Sequence, residues 1–137
     1  METRDSVKVL VDTSAWIDYF RKKEPAYSTV SKLLTEDRIC CMGIVIAELL
    51  QGAKSEKEVT ILKDFVNIFD FLPETLQLWE QAGELSSSLR RKGITVGLSD
   101  CFIAVNSVYY DVELLTFDTD FKAIKDEVKL TLYTFTA

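Results

Sequence analysis

The stretch VKVLVDTSAWIDYF, Val7 to Phe20, decides the fold. Val7, Val9, Leu10 and Val11 make a nearly continuous apolar run rather than a clean alternation, the pattern of a strand covered on both faces in a parallel sheet. The run stops on Asp12, after which Trp16, Ile17 and Phe20 recur at helical spacing. Thr13 or Ser14 is the expected cap of that helix, and the charged residues up to Pro25 end it. A buried strand that finishes on a carboxylate calls for a reason.

Working outward, the alternation repeats. Tyr27 to Leu34 has a helical pattern and Arg38 to Met42 a short strand; after Gly43, Ile44 to Gly52 (IVIAELLQG) reads as a helix closed by a glycine. Lys57 to Phe69 is helical, Phe69 to Leu72 is a third strand before Pro73, and Leu76, Trp79, Ala82, Leu85 and Leu89 mark the buried face of a long helix reaching Gly93. Ser99 or Asp100 opens an apolar helix through Val108, and Glu113 to Thr116 is a strand. Asp120 starts a short helical turn through Ile124, and Lys129 to Phe135 reads as a closing strand. Strands alternating with helices predict a central parallel sheet in a three-layer α/β/α sandwich. The 137 residues fit a single domain, 1–137, and a chain of that length buries about 68% of its unfolded surface.

Composition narrows the chemistry. Histidine is absent, which removes Ser-His-Asp and Cys-His mechanisms and nearly every catalytic zinc site. Cys40, Cys41 and Cys101 are odd in number and form no CxxC pair, so they read as buried thiols. Hydrolysis by such a chain has to run on carboxylates, with metal. Met1 to Asp5 is charged, no signal-peptide pattern follows, and Glu48 breaks the longest apolar run, so a soluble cytoplasmic protein is expected. The net charge of −6 argues mildly against broad nucleic-acid binding, although gathering four acids around metal would nearly balance the rest.

Four acids stand out. Asp12 and Asp118 each follow a strand, where open parallel sheets bind ligands. Glu48 and Asp100 lie on apolar helices flanking the sheet. Each has an ordinary reading: Asp12 as a turn or cap residue, Glu48 as half of a core salt bridge, Asp100 as an anion at a helix N-terminus, Asp118 as a turn former. Together they form a set that, if it converges, attracts hard cations such as Mg2+ or Mn2+, which take oxygen ligands. Two such ions about 4 Å apart activate a water and steady the leaving oxygen of a phosphodiester. On this reading the strand ends on Asp12 because that carboxylate faces metal, and Thr13 and Ser14 either serve the same site with their hydroxyls or cap the next helix.

With these residues in place, the sequence resembles a PIN-domain ribonuclease, specifically the VapC toxins of toxin-antitoxin pairs. The resemblance rests on VLVDTSAWIDYF, IVIAELLQG, GLSDCFIA and LLTFDTDF in that order, and it covers almost the whole chain. It implies an endoribonuclease dependent on Mg2+ or Mn2+, with Asp12, Glu48, Asp100 and Asp118 as catalytic, metal-holding acids. Thr13 and Ser14 match the hydroxyls beside the first acid, and Asp120 is an accessory acid. It also implies a homodimer held inactive by a VapB-like antitoxin. Arg21, Lys22, Lys23, Arg90, Arg91 and Lys92 are candidate RNA phosphate contacts, set against the ordinary reading of solvated charges. Trp16 and Tyr19 read either as base-stacking residues or as core. The alternative function is a non-catalytic PIN-fold interaction module, in which the acids are structural pairs or a dock for a basic peptide.

Overall fold

The computed structural model describes residues 7–134. The elements run β1 (Val9–Val11), α1 (Thr13–Phe20), α2 (Ala26–Thr35), β2 (Ile39–Cys41), α3 (Gly43–Gln51), α4 (Glu56–Val66), β3 (Asp70–Phe71), α5 (Leu76–Arg91), α6 (Leu98–Tyr109), β4 (Glu113–Leu115) and α7 (Asp120–Val128). The four strands form one parallel sheet in the order β3-β2-β1-β4. β1, β2 and β4 are buried throughout, which is why their sequences lack alternation. Edge strand β3 is exposed.

That strand order creates the site. The chain steps outward from β1 to β2 to β3, then jumps back across β1 to add β4 on the far side. Right-handed crossovers, the rule for parallel connections, therefore put α1 to α4 on one face and α5 and α6 on the other. The reversal falls between β1 and β4, whose register pairs Val11 with Leu115. A crevice opens at such a switch, beyond the carboxyl ends of the two strands.

The expected α/β/α sandwich with its parallel sheet is present, with four corrections at element ends. The closing strand is reduced, among the described residues, to one parallel bridge between Leu114 and Leu132; Phe135 lies outside them. Lys129 ends α7 in the left-handed conformation (φ 59°), and only Thr131 and Tyr133 then bond to Leu114. The short turn after Asp120 is a full helix to Val128, anchored by buried Phe121 and Ile124. Gly52 does not use the left-handed region (φ −85°); Gly93 does (φ 80°), just after α5. The caps also fall elsewhere: Asp12, not Thr13 or Ser14, caps α1, and Gly97, not Ser99 or Asp100, precedes α6.

Trp16 settles as core, 1% exposed, packed edge-on against Phe65 and beside Phe69. Tyr19 stacks on Tyr27 and is partly buried. All three cysteines are buried and free. Burial pushes the Cys40 and Cys41 thiols up to about 12, which leaves them inert.

Candidate carboxylate site at the β1–β4 crevice

Asp12 is 4% exposed at the carboxyl end of β1. It caps α1, its Oδ1 accepting from the Ala15 backbone N–H at 3.0 Å, so the ordinary reading of a helix cap holds. A cap needs one oxygen, however, and both oxygens are engaged. Oδ1 also accepts from the Ser14 hydroxyl at 2.7 Å, and Oδ2 accepts from Thr116 Oγ1 at 2.5 Å. Burial pushes the Asp12 carboxyl above its ordinary range against the pull of these three bonds, and Asp118 adds to the rise.

The hydroxyls tie Asp12 to the segment after β4. Ser14 Oγ accepts from the Phe117 N–H at 3.0 Å, and Thr116 Oγ1 accepts from the Asp118 N–H at 3.0 Å. Asp118 in turn accepts the Asp120 N–H at 2.9 Å, which fixes the start of α7. Carboxylate oxygens of Asp100, Asp118 and Asp120 all lie within 4.8 Å of one another. Asp120, expected only as an accessory acid, thus belongs to the tightest group, while Asp12 and Glu48 stand outside that trio.

Asp100 occupies the first turn of α6. A helix N-terminus lowers a carboxyl pKa, so a purely structural anion there would sit low. The carboxyl is instead pushed up to about 7, first by burial and then by Asp118, Asp120, Asp12 and Glu48. Four acids act on the fifth, a charge arrangement that favours a proton or a cation.

Glu48, on α3, is partly exposed rather than enclosed by apolar groups on every side. Its partner is the Thr13 hydroxyl at 2.8 Å, and no Lys or Arg pairs with it among the described residues. The two hydroxyls after Asp12 therefore divide: Ser14 holds Asp12 and Thr13 holds Glu48. Thr116 escaped sequence reasoning. Its signal is a symmetry of spacing, since Ser14 lies two residues after Asp12 and Thr116 two before Asp118.

The basic residues are dispersed. Arg21, Lys22 and Lys23 are exposed just past α1, while Arg90 and Arg91 close α5, where cations complement the helix terminus. Lys92 pairs with Glu127 at 2.5 Å. Arg21 also lines a cleft of about 380 Å³ between α1, α3 and α4, where Ile17, Phe20, Leu49 and Ile61 meet the charged Lys54 and Glu58. None of the four acids lines it.

The donor set consists of carboxylates and hydroxyls, with no imidazole in the chain and the thiols buried and protonated. All-oxygen donors suit Mg2+ or Mn2+ rather than zinc or copper, so the residues present fit such an ion.

This sheet order, with acids at the switch between β1 and β4, is that of a PIN domain, and the PIN domain family model matches residues 9–127: the chain belongs to that family. Within the family its full-length likeness is to the VapC group. VapC ribonuclease Mb1587 of Mycobacterium bovis is 33% identical over 122 residues, covering 85% of this chain and 90% of that protein. Ribonuclease VapC1 of Haemophilus influenzae is 28% identical over 127 residues, covering 85% and 92%. Among solved structures, VapBC-1 from nontypeable Haemophilus influenzae superposes with a TM-score of 0.71 at 25% identity, over 91% of this chain and 96% of that one. VapBC2 from Rickettsia felis, bound to a DNA fragment from its promoter, gives 0.74 at 22% identity over 93% and 98%, a likeness of fold.

Proposed function

We propose that this chain is a divalent-metal-dependent endoribonuclease, the toxin of a toxin-antitoxin pair. The observation that carries the reading is the acid cluster at the β1–β4 switch, where carboxylate oxygens of Asp100, Asp118 and Asp120 lie within 4.8 Å of one another and, with Asp12 and Glu48, push the Asp100 carboxyl up. Such a cluster is costly without a compensating cation. Asp12, Glu48, Asp100 and Asp118 would hold Mg2+ or Mn2+, with Asp120 beside them. The chemistry such an ion supplies is Lewis acidity toward water and toward the leaving oxygen of a phosphodiester. Ser14 would orient Asp12 and Thr13 would orient Glu48, and Asp100 would act as a ligand in its deprotonated form. Arg21, Lys22, Lys23, Arg90 and Arg91 are offered as phosphate contacts. The solved VapBC assemblies support a VapB-like antitoxin as inhibitor, and a homodimer is proposed with it. No helix among the described residues is long and apolar enough to cross a membrane, in keeping with action in the cytoplasm.

The test is cleavage of a mixed cellular RNA pool by antitoxin-free protein with Mg2+ or Mn2+, beside an EDTA control and Asp12→Asn. Metal-dependent cleavage lost in the variant is the expected result. Intact RNA under every metal condition would transfer support to the non-catalytic interaction module.

A further inference from the structure

We propose that Thr116 is a positioning residue of the carboxylate site, setting the Asp12 carboxylate and the Asp118 backbone in one register. The inference rests on the metal-dependent reading above and concerns a residue that reading leaves unused. A threonine hydroxyl has one proton to donate and two lone pairs. Here the proton goes to Asp12 Oδ2 at 2.5 Å, and a lone pair receives the Asp118 N–H at 3.0 Å. Ser14 makes the matching pair of bonds on the other oxygen, donating to Oδ1 and accepting from the Phe117 N–H. The 3.5 Å approach between the two hydroxyls is left without a proton, because both are already committed to Asp12.

The two hydroxyls therefore act as a paired relay: backbone N–H groups after β4 donate to hydroxyls, which donate to the carboxylate after β1. The relay spans 104 residues of sequence, and Thr116 is the member on the β4 side. Ser14 is carried on α1, whose start Asp12 already caps. The end of β4 is joined to Asp12 through the backbone, the Asp12 N–H donating to the Leu115 carbonyl at 3.1 Å, and the Thr116 hydroxyl adds the bond that couples the Asp118 backbone to Oδ2. Partners that orient metal-holding carboxylates in this way are typically worth 10- to 100-fold in metal affinity or activity.

The experiment compares native protein, Thr116→Val, which keeps the shape and removes the hydroxyl, and Thr116→Ser, which keeps the hydroxyl. Mn2+ binding is read by calorimetry, RNA cleavage by kcat and KM, and folding by cation-free thermal unfolding. Thr116→Val is expected to bind Mn2+ about 10- to 100-fold more weakly and to lose kcat by a similar factor with KM for RNA unchanged. Thr116→Ser is expected to return both to within about threefold of native, since the donor is what matters. Equal Mn2+ affinity and kcat in native and Thr116→Val overturn the proposal. So does a Thr116→Ser protein as impaired as Thr116→Val, which would make the methyl group and packing the cause, and so does native protein that binds no Mn2+. If Thr116→Val does not fold, Thr116→Ala takes its place and is held to the same Mn2+ and kcat outcomes. Native protein that binds Mn2+ yet cleaves no RNA defeats the ribonuclease reading and leaves the calorimetric comparison to judge Thr116.

Discussion

Helices α6 and α4 are of similar length and carry the chain through opposite circumstances. α6 buries Cys101 through Ser107 without interruption, with Asp100 immediately before that run. α4 has no fully buried residue and touches the core through the partly buried Leu62 and Phe65. The acid that feels all the others is thus mounted on a helix buried along most of its length, while α4, which borders the cleft, is held by a polar cap and the partly buried Leu62 and Phe65. Close-packed interiors transmit strain poorly tolerated by geometry, so a site built on α6 inherits the rigidity of the core.

The sharpest way to break the comparison is to empty the packing beneath α6. Phe102 is fully buried and lies flat against Trp79 of α5, with centroids 3.4 Å apart and 7° between planes. Phe102→Ala is expected to cost about 3–5 kcal/mol in denaturant unfolding. A loss no larger than that of an α4 substitution would erase the distinction.

Asp100→Asn should leave α6 in place and remove its charge. RNA cleavage and Mn2+ binding are each expected to fall about 100-fold or more, the scale for loss of a directly acting group. The cation-free protein at pH 8 should become more stable at the same time, because the ionised carboxyl is disfavoured by its surroundings. Chemical denaturation with and without Mn2+ separates the two effects.

The pH dependence follows from the same carboxyl. Its folded pKa of about 7 lies above the ordinary 3.8, so the folded state holds the proton more tightly than the unfolded chain. That contribution to stability is complete below about pH 4, declines as pH rises toward 7 and levels off above it. Cation affinity runs the other way, since ligands must be deprotonated: below pH 7, Mn2+ binding should weaken by up to about tenfold per pH unit. Calorimetry at pH 6 and pH 8 checks the slope, and an affinity flat across that range would detach Asp100 from the cation.

The smallest effect belongs to α4. Ser55 caps it by accepting the Glu58 N–H at 3.2 Å, and Ser55→Ala is expected to cost about 1 kcal/mol with cleavage intact. Hydrogen exchange should show α4 amides opening at lower free energy than those of α6, and added Mn2+ should slow exchange near Asp100 without slowing α4.

Much of this was legible in the amino-acid sequence because it is local. The apolar run at Val9 to Val11 announces a doubly covered strand, and an acid directly after it marks the strand's carboxyl end. Asp118 stood out for the same reason, and Asp100 as an acid at the start of an apolar helix. What pairs across the fold was not legible. That Thr13 would turn to Glu48 while Ser14 turned to Asp12, and that Thr116 would close on Asp12, depends on how β1 and β4 lie side by side. Asp120 drew closer than expected because its own N–H bonds to Asp118 and turns α7 into the cluster. The closing strand was overread: Leu130 and Leu132 supply apolar pattern, yet only one bridge to β4 forms among the described residues.

The strand order carries a consequence for synthesis. Asp12 emerges early from the ribosome, but the strand that flanks it at the switch, and the hydroxyl that reaches its Oδ2, come 104 residues later. No growing chain holds the acids together until β4 and the residues through Asp118 have left the ribosome. The acid cluster is therefore a late product of folding, assembled only when β4 docks beside β1.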